Sequence, residues 1–325
     1  MEKNYRQIYM NTLCCKHAED VPAFAPPYKA SVGFMDAHEK GPTGGGYDGF
    51  GIWWDVTPEG PIPSSRTFML EDISDWETVV KFPDVDAIDW KAKSEKDMPR
   101  IDRDKQVLEY GMGNAHFERL AALMGFEGAL CAMVEDPDAV KAYMEAFTDY
   151  RIKCIRKIAE YYHPDVICSY DDVAHLRGTF MSRSAYQELI KPYHIAVNDE
   201  CKSLGIIPIQ HCCGKAESLV EDFIDEGAQC WTSVQPCNDI VGLLEKYGDR
   251  ISLCGGFDTD ALTARSVITQ ESIREEARKA IDKYAVRGSY ILGNLSFFAA
   301  NGMTKMEMMG IAVDETLRYG EAHYR

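Results

Sequence analysis

The chain has 325 residues, 46% of them hydrophobic, and a formal charge of −17. Size and composition describe one large globular unit or two ordinary ones, and the acidic balance argues against a nucleic-acid or anionic-membrane partner. No apolar run is long enough to span a bilayer, the first residues lack a signal-peptide core, and eleven irregularly spaced cysteines suit a reducing cytoplasm better than a disulfide framework.

Residues 1–30, with the adjacent Cys14 and Cys15 and a proline-rich piece from Pro22 to Pro27, read as an arm. Residues 41–66 are rich in glycine, proline and aromatics. A loop of that length without periodicity is usually functional or disordered, and Tyr47, Phe50, Trp53 and Trp54 argue against disorder: they suit either the wall of a pocket for a flat or apolar ligand or the closing of one end of a core. Residues 67–105 read as a polar passage of short helices, so 1–105 is expected to be an arm and a set of loops packed on the remainder of the chain.

From Gln106 the rhythm changes. Val107–Gly113 reads as a strand, and helical patterns follow around Phe117–Gly125 and over Pro137–Tyr162. His163–Asp172 is a strand ending in two carboxylates. Ser184–Leu204 is helical, 206–211 a strand and 216–226 a helix stopped by Gly227. Cys230–Gln235, Ile251–Gly256 and Ser289–Asn294 are strands. Asp239–Tyr247, 271–286 and 304–320 are helices.

Strands alternating with helices point to parallel βα units. No GxGxxG opens a strand-to-helix turn, so a dinucleotide fold is not supported. Residues 106–325 are expected to form a (β/α)8 TIM barrel, with 1–105 as an N-terminal extension in one structural domain. Barrel chemistry sits at the carboxyl ends of the strands. Those ends carry Asp171-Asp172, His211-Cys212-Cys213, Gln235, Cys254 and Asn294. Imidazole and thiolate two positions apart, at His211 and Cys213, make a candidate soft-metal pair. Cys212 should point away, because neighbouring strand residues face opposite sides.

Several motifs together resemble the uroporphyrinogen decarboxylase superfamily over roughly residues 105–320. They are Tyr170-Asp171-Asp172 followed by Gly178 and Ser182, His211-x-Cys213-Gly214, the Glu226-Gly227-Ala228 turn leading to Gln235, and Cys254-Gly255-Gly256-Phe257-Asp258. The resemblance implies a (β/α)8 barrel and one of two chemistries. The decarboxylases hold a tetrapyrrole with N-terminal arginines and use no metal; no such arginine-rich motif is present. The corrinoid-linked methyltransferases hold zinc through His-x-Cys, which His211 and Cys213 match.

The implied activity is transfer of a methyl group from a methoxylated, aromatic donor to the Co(I) corrinoid of a partner protein, as in O-demethylases of anaerobes. Zn2+ is the implied metal. The alternatives are a methylcorrinoid:thiol methyltransferase and a uroporphyrinogen decarboxylase. In the coenzyme M methyltransferases of this superfamily a further Cys follows the last strand. Here Gly293-Asn294-Leu295-Ser296 stands there, so Cys254 is the first candidate for third ligand, with Asp171, Asp172 or Glu109 as oxygen alternatives. Asp171, Asp172, His175 and Gln235 are the catalytic candidates. His116, Tyr47, Trp53, Trp54 and Asp258 are the substrate-binding candidates. A homodimer is left open. Asp36-x-His38-x-x-Gly41 matches a signature of cobalamin-binding modules. The strand, Ser-x-Leu and Gly-Gly that such modules need do not accompany it, so it reads as a chance match in a surface loop.

Overall fold

The structure is a computed structural model that describes residues 3–16, 19–34, 36, 38–57, 60–66, 68–297, 299–321 and 323–324. Seven strands form one parallel sheet. They are β1 (Lys29–Val32), β2 (Val107–Met112), β3 (Val166–Tyr170), β4 (Ile207–His211), β5 (Cys230–Val234), β6 (Ser252–Gly256) and β7 (Tyr290–Gly293), paired in chain order. The two edges meet through one stretch of chain. Ala23 bridges Leu292 of β7, with Phe24 N donating to Leu292 O at 2.8 Å, and six residues later the same stretch becomes β1. The result is a TIM-barrel-like α/β fold.

Helices cover the outside of the sheet, so its strands are apolar on both faces, as parallel strands must be; all six residues of β2 are buried. One apolar cluster fills the interior: Val107, Val166, Cys168, Ile209, Cys230, Cys254 and Ile291, closed below by Tyr9 and Leu13 of the helix Tyr5–Leu13. A larger cluster lies between strands and helices and includes Cys212 and Trp231.

Two features of the first 105 residues differ from expectation. The arm contributes β1 and the plugging helix, so the barrel begins well before Gln106. The aromatic stretch folds as a three-stranded antiparallel sheet (46–47, 53–57, 60–63). Its short strands and many glycines and prolines hide the period-2 alternation that marks longer strands. Buried ion pairs tie it down: Arg119 Nη1 lies 2.6 Å from Asp48, and Arg151 lies 2.8 Å from Glu39. Asp36 bonds the Tyr110 hydroxyl and Lys93, and His38 packs edge-on against Trp90. The Asp36-x-His38 pair thus serves packing; Ala37 lies outside the described residues. Among the described residues no helix is long and apolar enough to cross a membrane.

Candidate metal centre

His211 ends β4 with its ring turned into the barrel and laid against Tyr170 of β3, centroids 4.2 Å apart. The chain then leaves the strand. Cys212 turns outward and is fully buried, and its carbonyl accepts from the Trp231 indole at 2.9 Å. Cys213 returns to the barrel side, where its Sγ lies 3.4 Å from His211 Nε2.

Two carboxyl-end side chains clamp this turn. Asp172 accepts from Cys213 N at 2.7 Å, and Gln235 accepts from Gly214 N at 2.8 Å. Gly214 has φ +83, and a Cβ there would lie 2.7 Å from the backbone of Ala174. Only glycine both takes that conformation and lets the neighbouring segment so close.

Asp172, His211 and Cys213 each offer a ligand atom within 4.8 Å of the others. They line a cavity of about 540 Å³ together with Lys40, Asn114, Glu118, Ser233 and Asn294. Burial above all lowers the pKa of His211, which leaves its imidazole neutral with a lone pair to give. Burial first, then Asp172 and Glu118, pushes the Cys213 thiol up. Burial first, then Asp172 and Asp171, pushes the Glu118 carboxyl well up. Acidic groups converge there, an arrangement a divalent cation would favour. The separation of His211 Nε2 and Cys213 Sγ also fits: ligands at about 2.0 and 2.3 Å on one tetrahedral zinc stand roughly 3.5 Å apart.

Cys254 does not join this group. In the register His211 pairs with Thr232 and Thr232 with Cys254, so the two lie two strands apart, on the order of 9–10 Å. Cys254 belongs to the apolar interior cluster, its Sγ beside Gly293. Asp172 stands in the third place. Glu109 is engaged lower in the barrel with Lys29, at 2.7 Å.

Asp171 faces away from the cavity. Its oxygens accept from Phe117 N and Glu118 N at the start of the helix His116–Met124, at 3.1 and 2.9 Å, and from His194 Nε2 at 2.9 Å. His194 is also 3.3 Å from Glu226, which accepts from the Tyr186 hydroxyl at 2.6 Å. Burial alone would lower the His194 pKa; Glu226 and Asp171 override it and raise it to about 10. The buried His194, held between Asp171 and Glu226, therefore braces the strand end that carries Asp172.

The other expected site residues are scattered. His116 is buried and bonds Thr148 at 3.0 Å, outside the cavity. His175 is exposed on a small hairpin, stacked on Phe180. Trp54 is core, its indole donating to Asp48, while Tyr47 and Trp53 pack edge-on at the surface. Asp258 caps the helix Thr259–Thr263 and lines a second cavity that shares Gln235 and Asn294 with the first. Glu118, Lys40 and Ser233 escaped the sequence reading. Glu118 alone had a signal, as the acidic residue in the first turn after β2.

Barrel and donor set together define a TIM-barrel-like protein with a candidate metal centre at the carboxyl ends of its strands. The chain belongs to the uroporphyrinogen decarboxylase (URO-D) family, whose model matches residues 54–297. Among solved structures it is similar to a methyltransferase from Methanosarcina mazei, at 14% identity over 98% of this chain and 99% of that one, TM-score 0.68. It is more distantly similar to a mannonate dehydratase from Streptococcus suis serotype 2, at 10% identity over 70% and 81%, TM-score 0.38. A sugar phosphate isomerase/epimerase from Parabacteroides distasonis stands at 10% identity over 80% and 98%, TM-score 0.37. No curated protein matches the sequence.

Proposed function

We propose that this chain is a zinc-dependent methyltransferase. It takes the methyl group of a methoxylated, aromatic donor and passes it to the Co(I) corrinoid of a separate partner protein. The observation that carries the reading is the convergence of His211 Nε2 and Cys213 Sγ, 3.4 Å apart, with the Asp172 carboxylate beside them. His211, Cys213 and Asp172 would hold the ion. A catalytic zinc keeps a position for substrate, and the cavity lies on that side. The shared methyltransferase fold of the Methanosarcina mazei neighbour agrees with this reading.

Zinc supplies Lewis acidity to the donor oxygen, and the corrinoid supplies the nucleophile. The rest falls to the chain. Asp172 and Gln235 hold the 213–214 backbone in place from opposite sides. Tyr170 fixes the plane of the imidazole. As the methyl–oxygen bond breaks, its electron pair stays on oxygen, and Glu118 is placed to hold a proton for that oxygen.

The decarboxylase reading finds no support in the lining. Lys40 is the sole lysine or arginine among the described lining residues, beside the acids Glu118 and Asp172, whereas a polycarboxylate calls for several cations.

The test is metal analysis joined to an assay of methyl transfer to free cob(I)alamin across methoxylated aromatic donors. His211→Ala and Cys213→Ala should each strip zinc and abolish transfer. Full activity from zinc-free protein refutes the proposal. Consumption of methylcobalamin by a thiol alone would reverse the direction of transfer.

A further inference from the structure

The end of the barrel opposite the candidate metal centre holds a hollow of about 370 Å³. Four segments far apart in sequence meet there. Lys16 follows the helix Tyr5–Leu13 that plugs the barrel, and Gly248 and Asp249 precede β6. Arg287 and Ser289 lead into β7, and Tyr324 lies beyond the helix Lys305–Tyr319. In barrels of this kind the carboxyl ends of the strands carry the chemistry and the other face carries stability. A ligand held here therefore acts apart from the metal centre, and the argument for it does not rest on the methyl-transfer reading.

Two observations mark the hollow as a binding site. The first is inside it. Ser289 is 2% exposed, and its hydroxyl has no hydrogen-bond partner among the described residues. A Cβ on Gly248 would come within 2.7 Å of Ser289 Oγ, so the hydroxyl faces the 248–249 turn across a gap that glycine keeps open. The Tyr324 hydroxyl, on the same lining, is also buried and without a partner among these residues. Buried hydroxyls are nearly always bonded, because desolvating one without return is costly. Here two of them share one hollow.

The second observation is the charge at the rim. Lys16 and Arg287 are exposed, and neither forms an ion pair with a described residue. Asp249 is the one acid among the described lining residues. Burial pushes the Cys15 thiol up to about 11, so it stays protonated and adds no charge. Cations thus outnumber anions on this lining, in a chain whose net charge is −17.

We propose that this hollow binds a phosphate group, free or as a small monoester, whose oxygens accept from Ser289 Oγ and Tyr324 Oη while Lys16 and Arg287 balance its charge. A phosphate offers several strong acceptor oxygens to converging donors. Arginine supplies a planar fork and lysine a point charge. The hollow has room for the organic part of a monoester, and Asp249 is an acceptor for a hydroxyl of that part. Once bound, the group ties the plugging helix, the approaches to β6 and β7 and Tyr324 together, so it stabilises the closed barrel.

The experiment titrates the full-length protein with inorganic phosphate and, separately, with glycerol 3-phosphate. Binding is read by 31P line broadening and by thermal unfolding at an ionic strength held constant with chloride. The parent should bind one or both with a Kd of about 1 mM or tighter, and its unfolding temperature should rise with their concentration. Arg287→Gln, at an exposed position, should weaken binding about tenfold or more. Ser289→Ala should weaken it by a similar factor. Without phosphate, however, Ser289→Ala should unfold no earlier than the parent, because it deletes a buried hydroxyl that has no partner. His211→Ala should bind both probes as the parent does, which separates this site from the metal centre. No saturable binding of either probe, binding retained by both Arg287→Gln and Ser289→Ala, or binding lost in His211→Ala overturns the assignment. Tighter binding of inorganic phosphate supports the free ion as the ligand, and tighter binding of glycerol 3-phosphate supports a phosphomonoester.

Discussion

Replacing His194 with glutamine tests the buried brace behind the candidate centre. His194 lies between Asp171 at 2.9 Å and Glu226 at 3.3 Å, with both carboxylate side chains fully shielded from solvent. Its pKa of about 10, against 6.5 for a free imidazole, corresponds at about 1.4 kcal/mol per pH unit to something on the order of 5 kcal/mol. Breaking a buried ion pair by removing one partner typically costs about 3–5 kcal/mol.

Glutamine retains a donor for one carboxylate, and the pair left behind can take up a proton, so the lower end, about 3 kcal/mol, is expected near pH 6.5. The sign follows from the raised pKa. The stabilisation is complete below about pH 6.5 and is lost as pH climbs through 10. Urea unfolding of parent and His194→Gln should therefore differ by about 3 kcal/mol at pH 6.5 and by about 1 kcal/mol or less at pH 9.5. A difference that stays constant across that range, or falls below about 1 kcal/mol at pH 6.5, would show that the folded imidazole is neutral and refute the reasoning. The same variant should bind zinc more weakly, because Asp171, which holds the start of the helix that presents Glu118, loses the partner that fixes its carboxylate.

Other expectations concern the metal and the scaffold. Asp172→Asn should lower zinc affinity roughly 10–100-fold or more, read by competition with a chelator, because it removes a charge and turns one carboxylate oxygen into an amide nitrogen that cannot ligate, while the remaining oxygen can still accept from Cys213 N. Cys254→Ala should retain one zinc per chain and unfold about 1–2 kcal/mol more easily, since it deletes only a buried thiol of the barrel interior. Loss of its zinc would restore Cys254 as a ligand. Arg119→Met strands the fully buried Asp48 and should cost about 3–5 kcal/mol in urea; a loss under about 1 kcal/mol would mean that the pair is dispensable.

The order of strands and helices from β2 onward was legible in the sequence because each is a local pattern. Pro137–Tyr162 is one helix as its periodicity and its proline at the start required. His211 and Cys213 were legible too, since two ligands two positions apart at a strand end need no knowledge of distant chain. Cys212 buried on the opposite side follows from the same alternation.

What the sequence could not decide were contacts between segments far apart. Residues 29–32 look like part of an arm until β2 offers them a hydrogen-bonding edge. Asp171 and Asp172 are neighbours of one type, yet one braces a helix and a histidine while the other faces the cavity; only the direction of the chain as it leaves β3 separates them. On paper Cys254 stood ahead of Asp172 as the partner for His211 and Cys213. The stagger of β4, β5 and β6 places Thr232 between His211 and Cys254, and that register is a property of the assembled barrel. The aromatics that wall an apolar cavity are likewise not the conspicuous Tyr47, Trp53 and Trp54 but Phe68, Phe117, Phe126 and Phe180, drawn from three separate stretches of chain. Local periodicity reports which face of an element is buried, and only tertiary packing determines what that face meets.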